Sequence, residues 1–159
     1  MIFPDKKFWQ FGKIFLIGPK KSVYNNGVYV LSYFYSSDYP QVCPLMRFVT
    51  YIYHCNVTIQ GKICNDVLGK NWRPTLQLDD VLRAIDNMLL FPNAENALDS
   101  SIAAEFMIDR EKYNERAMKS CKKHANKSID DLMLAVLGNK PKEKPEKYEK
   151  LYARKKQEI

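Results

Sequence analysis

The apolar residues change period partway along the chain, and that change limits the fold more than any other feature. In the first third they come in short runs rich in aromatic and β-branched residues. Residues 11–17 form one such run, stopped by Gly18-Pro19. Residues 28–35 form a second, entered through the turn signal Asn25-Asn26-Gly27. A period of two puts Val28, Val30, Ser32 and Phe34 on one face, and Tyr29, Leu31, Tyr33 and Tyr35 on the other. Asp38-Tyr39-Pro40 and Pro44 then punctuate the chain before a third run over residues 46–50. Consecutive short strands of this kind pair as an antiparallel meander.

From Gln77 the period becomes helical. Across residues 77–91, Leu78, Val81, Leu82, Ile85, Met88 and Leu89 share a face, of which Val81, Leu82, Ile85 and Leu89 are expected to be buried, and Pro92-Asn93 ends the run. Ser100 is placed to cap a short helix reaching Phe106, and Asp109 opens another with Tyr113, Ala117 and Cys121 on one side. Ser128 and Asp131 have the capping-box spacing ahead of Ile129, Leu132, Met133, Val136 and Leu137, with Gly138 as the stop. Strands followed by helices predict an α+β domain, a sheet of about four antiparallel strands with the helices packed on one side.

The 159 residues suffice for one domain and a short appendage. We place a core at residues 1–138 and a basic, flexible Lys/Glu/Pro tail at 139–159, whose composition cannot build a core. Much of the net charge of +7 sits in that tail, and no helix-turn-helix, zinc-finger or single-strand-binding signature accompanies it, so nucleic-acid recognition is disfavoured. No apolar run approaches the roughly 20 residues that span a bilayer. An acid and two lysines interrupt the first ten residues, which excludes a secretory signal there and predicts a cytoplasmic or nuclear protein.

Between the two halves, residues 51–76 follow neither period. Long irregular segments in compact domains usually carry function. Two of the four cysteines, Cys55 and Cys64, lie in it; Cys43 and Cys121 lie outside. None forms a C-x-x-C pair, and His54, Cys55 and Cys64 match no zinc spacing, so neither a disulfide framework nor a metal site is expected.

In this segment Tyr53-His54-Cys55-Asn56 is followed by Gly61-Lys62-Ile63-Cys64 and then by Asn71-Trp72-Arg73-Pro74. Their order and spacing resemble the Y-H-P-N turn, the G-x-[IV]-C segment and the W-x-P loop of ubiquitin-conjugating enzymes. Residues 22–33, Asp38-Tyr39-Pro40, the stretch from Pro92-Asn93 to Leu98 and residues 103–113 extend the similarity, which covers residues 8–126. The resemblance implies an enzyme that accepts ubiquitin or a ubiquitin-like modifier as a thioester on Cys64 from an ATP-dependent activating enzyme. It then passes the acyl group to a substrate lysine or to a ligase cysteine, with no cofactor. Asn56 is implied either as an oxyanion donor or as a turn residue, and Asp66 either as the acid that helps deprotonate lysine or as a solvated loop acid. His54, Trp72 and Pro74 are implied as supports of the loop. The implied partners are the modifier, its activating enzyme and a ubiquitin ligase, and no membrane. The alternative is a conjugating-enzyme-like domain that binds ubiquitin or a partner protein with little or no catalysis.

The chain departs from the family pattern in several places. Cys55 replaces proline in the turn, which loosens it because proline fixes φ. Asn96 replaces a second acid near the site, and Gln41 and Arg73 alter the ligase-facing surface. Residues 72–125 look most similar to a subfamily that lacks part of this acidic set and favours ligase cysteines. Only ten residues precede the first run, so the family's opening amphipathic helix is expected to be missing.

Overall fold

The computed structural model describes residues 2–4 and 10–137. Four antiparallel strands stand in chain order in one sheet: β1 (Ile2–Pro4), β2 (Phe11–Ile17), β3 (Val28–Phe34) and β4 (Leu45–Phe48). β1 pairs Ile2 with Ile14 and Pro4 with Gly12, in the stretch expected to precede the sheet. Three residues are too few to show an alternating pattern, so periodicity gives no sign of it. β4 ends at Phe48, short of the expected Thr50, whose Oγ1 instead accepts the Val30 N–H at 2.9 Å.

Alternation along the strands divides the sheet into two faces. Ile14, Leu16, Tyr29, Leu31, Tyr33, Met46 and Phe48 point into the main core. Against them pack α1 (Leu78–Leu90), α2 (Ser100–Ile108) and α3 (Arg110–His124). α1 presents Val81, Ile85, Met88 and Leu89, whereas Leu82, expected in the core, is only half-buried. Positions i, i+4, i+7 and i+8 fall within one narrow stripe, and Leu82 lies at its edge. Full burial of such side chains contributes roughly 1.5–3 kcal/mol each.

The helix boundaries follow side-chain chemistry. Asp80 Oδ2 accepts the Gln77 N–H at 2.9 Å at the start of α1, and Pro92 follows its end. α2 is capped by Asp99 rather than by the expected Ser100: Asp99 Oδ1 accepts the amides of Ser101 and Ile102 at 3.1 and 3.0 Å. A carboxylate offers a stronger acceptor than a hydroxyl to the positive end of a helix. Asp109 closes α2 through its N–H and caps α3 by accepting the Lys112 N–H at 3.0 Å.

The fourth helix corrects the expectation that all helices lie on one side. α4 (Ile129–Leu137) opens with the expected Ser128–Asp131 pair, Asp131 N–H donating to Ser128 Oγ at 3.1 Å. Leu132 and Met133 join Phe15 and Val30 in a separate buried cluster. Phe15 and Val30 are register partners on β2 and β3, and their parity opposes that of Ile14 and Leu31. α4 therefore covers part of the sheet's second face. The tether is short, since Val28 N–H donates to the Ala125 carbonyl at 2.8 Å just past α3. Among the described residues no helix is long and apolar enough to cross a membrane. Gly138 and the tail at 139–159 lie outside the described residues.

Candidate active site

The irregular segment is tied to the edge of the sheet by its backbone. Arg47 of β4 bridges Lys62, Phe48 N–H donates to the Gly61 carbonyl at 2.9 Å, and Val57 bridges Ile63. Between them Gly61 N–H closes a tight turn onto the Thr58 carbonyl at 2.8 Å. Gly61 has φ +78°, and a Cβ there would overlap the Phe48 carbonyl, so no other residue fits without strain. Ile63 is buried, and the next residue, Cys64, comes out half-exposed. Its N–H donates to the Asn56 carbonyl at 2.9 Å, which sets the thiol beside the Tyr53-His54-Cys55-Asn56 turn.

That turn is held by internal hydrogen bonds. His54 is fully buried; its Nδ1 accepts the Asn56 N–H at 3.0 Å and its Nε2 faces the Met88 carbonyl of α1 at the same distance. An acceptor at Nδ1 and a carbonyl at Nε2 assign the neutral Nε2–H tautomer. Burial lowers its pKa to about 4, with the Met88 carbonyl opposing that shift. Tyr24 donates to the Tyr53 carbonyl at 2.7 Å and meets the Tyr113 hydroxyl at 2.8 Å, joining the turn to α3. Both ring nitrogens of His54 are thus engaged inside the core, as a support and not as a ligand set.

Asn56 is 1% exposed and its carboxamide is fully used. Nδ2 donates to the carbonyls of Asn93 and Asn96 at 2.7 and 3.1 Å, and Oδ1 accepts the Asn93 N–H at 2.9 Å. The Cys55 carbonyl accepts the amides of Leu98 and Asp99 at 2.8 and 3.1 Å. Together these bonds strap the loop after α1 onto the turn. Cys55 itself is sealed, and burial pushes its thiol up to about 11, which leaves it unreactive near neutrality. Cys121 is also buried, and the half-buried Cys43 gives its S–H to the Leu68 carbonyl at 3.1 Å.

Past Cys64, a short 3-10 turn (Asp66–Leu68) begins at Asn65. Asn65 Oδ1 accepts the Val67 N–H at 2.9 Å, and its Nδ2 donates to the Ala84 carbonyl of α1 at 3.0 Å. This anchor beside the cysteine is not among the residues singled out from the sequence, although the preference of Asn for caps and turns is a signal that points to it. Asn93 is a second such anchor: its Oδ1 accepts the amides of Glu95 and Asn96. Asp66 is exposed and pairs with Lys70 at 3.2 Å. Trp72 Nε1 donates to the Pro40 carbonyl at 2.8 Å, and its ring continues an aromatic row through Tyr39, Tyr35 and Tyr33. Pro74 is exposed in the turn closed by the Leu76 N–H onto the Arg73 carbonyl. Asn96 is exposed, held through its backbone at both ends.

A family model described as ubiquitin-conjugating enzyme matches residues 3–121. The chain belongs to the ubiquitin-conjugating enzyme family. The match covers the sheet except the first residue of β1, the irregular segment, α1, α2 and most of α3, so the site lies inside it. α4, the helix on the sheet's second face, lies beyond the matched residues. Members of this family work in general with ubiquitin, an activating enzyme and ligases, which sets the coarse function of the chain.

Proposed function

We propose that Cys64 accepts ubiquitin or a ubiquitin-like modifier as a thioester from an ATP-dependent activating enzyme and passes it on, in the cytosol or nucleus. The observation that carries this reading is the placement of Cys64: a half-exposed thiol next to the buried Ile63, its backbone fixed to Asn56. The Cys64 thiolate attacks the carbonyl carbon of the modifier's thioester on the activating enzyme, forming the new S–C bond as the activating enzyme's thiolate leaves. An acceptor amine or thiolate then attacks the same carbonyl carbon, and the Cys64 thiolate departs.

In this reading Asn56 is a positioning residue. Its two N–H groups are spent on the Asn93 and Asn96 carbonyls, so donating to a developing oxyanion costs it bonds that hold the loop. That commitment, with asparagine at position 96 in place of an acid, favours a ligase cysteine over a free lysine as the acceptor. A thiol near pKa 8.5 is a few per cent ionised at neutral pH, whereas a lysine near 10.4 is almost wholly protonated. Incubation with activating enzyme, ATP and each modifier, resolved without reductant, tests the reading. A reductant-sensitive adduct that Cys64→Ala abolishes supports it, and an adduct that survives Cys64→Ala overturns it.

A further inference from the structure

We infer that Glu105 is a positioning residue for the Cys64 reaction, gripping Tyr53 so that α2 and α3 hold rigid a turn that lacks its proline; this rests on the thioester reading above. Tyr53 Oη donates to Glu105 Oε1 at 2.8 Å. Lys112 and Arg116, one turn apart on α3, hold the other carboxylate oxygen. Arg116 Nη1 lies 2.8 Å from Glu105 Oε2, and Lys112 Nζ lies 3.9 Å from it. The Glu105 side chain is only 12% exposed, where an unpaired carboxylate is costly. The two cations offset that cost and keep the carboxylate from swinging away from the phenol.

The grip matters because of where Tyr53 stands. It opens the turn whose last residue, Asn56, gives its carbonyl to the Cys64 N–H at 2.9 Å. Between them stands Cys55, which leaves φ unfixed where proline would lock it. Rotation about that bond would swing one arm of the turn against the other and carry the thiol with it. Pinning both arms to the scaffold removes that freedom without a proline. The Asn56 carboxamide pins the later arm to Asn93 and Asn96. The earlier arm is pinned through His54 to Met88, through the Tyr53 carbonyl to Tyr24, and through the Tyr53 hydroxyl to Glu105. Of these contacts the last one reaches both α2 and α3 through charged groups. Lys112 and Arg116 are half-exposed and hydrate when released, so the link contributes little to stability while it sets geometry at the site.

The full chain and its variants are charged with ubiquitin, or with whichever ubiquitin-like modifier forms the thioester. The activating enzyme is then stopped, and the second-order rate of discharge onto free cysteine is measured. A shift of about 1 Å in reacting groups can cost about 100-fold, so loss of one link among several is expected to cost about tenfold. Tyr53→Phe keeps the ring against Tyr113 and removes only the donor. It and Glu105→Ala should each slow discharge by that factor while charging stays within about twofold. The double variant should be no slower than either single one, because the two residues form one link. Glu105→Gln keeps a hydrogen-bond partner for the Tyr53 hydroxyl and should recover to within about threefold of the parent. Cys55→Pro added to Tyr53→Phe should likewise restore the rate, since proline stiffens the turn independently. Discharge at the parent rate by both single variants, losses that multiply in the double variant, or failure of either rescue overturns the inference and leaves the thioester reading standing. Absence of any reductant-sensitive adduct on the parent chain overturns both.

Discussion

Asn56 grips the Asn93 peptide from both sides, accepting its N–H at 2.9 Å and donating to its carbonyl at 2.7 Å. Asn56→Ala strands these two groups and the Asn96 carbonyl. Leaving a buried polar group unpaired costs about 1–3 kcal/mol, and partial hydration of the loop reduces the total. A loss of about 3 kcal/mol in urea unfolding is expected. Asn56→Asp should cost at least as much at neutral pH, because a carboxylate then faces two carbonyls. If both variants unfold at the parent midpoint and lose only lysine discharge, Asn56 is an oxyanion donor and not a strap.

Buried His54 makes the turn sensitive to acid. Its folded pKa of about 4 lies below the unfolded value near 6.5, so the unfolded chain binds more protons between those limits. Stability from this group is therefore complete above about pH 6.5 and is lost as pH falls toward 4, by up to about 1.4 kcal/mol per pH unit. Protonation also places a donor at Nδ1 against the Asn56 N–H, which has nowhere else to point. NMR of the imidazole should report the neutral Nε2–H form down to about pH 5. A midpoint at pH 6 or above contradicts the buried arrangement.

The second face of the sheet is covered by side chains that lie beyond the family match. Met133→Ala removes a buried side chain packed over Phe15 and Val30 and should cost about 2–4 kcal/mol. Leu134→Ala, one residue on and exposed, should cost less than about 0.5 kcal/mol. Equal effects in denaturant unfolding would show that α4 does not dock as described.

The acceptor preference is open to a direct contrast. Asn96→Asp with Cys55→Pro restores the acid and the stiff turn of the family pattern. This double variant is expected to raise discharge onto free lysine several-fold and to leave discharge onto free cysteine alone. Fast lysine discharge by the unaltered protein would show that Asp66 and the existing loop suffice.

Much of the fold is legible in the residues because its elements are long enough to show a period. The alternation of β3 and the stripe of α1 each run for two turns or more, and the capping chemistry of Asp109 and Ser128 marks the helix starts. β1 is hidden because three residues carry no period. The placement of α4 is hidden for another reason: Leu132 and Met133 give an amphipathic helix, yet nothing local says which face of the sheet it will cover. That choice depends on Phe15 and Val30, more than a hundred positions earlier in the chain. At the site, Cys64 stands out through its surrounding motif. The bond from Asn65 to the Ala84 carbonyl of α1 does not, because a hydrogen bond to the backbone of a distant element leaves no pattern in either segment.

The central claim is that Cys64 alone carries the acyl group. Its most direct test replaces Cys64 with serine and charges the full chain with activating enzyme, ATP and modifier. An alkoxide leaves less readily than a thiolate, so the product should be an oxyester that survives reductant and is cleaved by mild alkali. Peptide mapping should find it on position 64, with Cys43, Cys55 and Cys121 unmodified. A reductant-sensitive adduct persisting in Cys64→Ser, or modification mapped to any of the other three cysteines, would contradict the account.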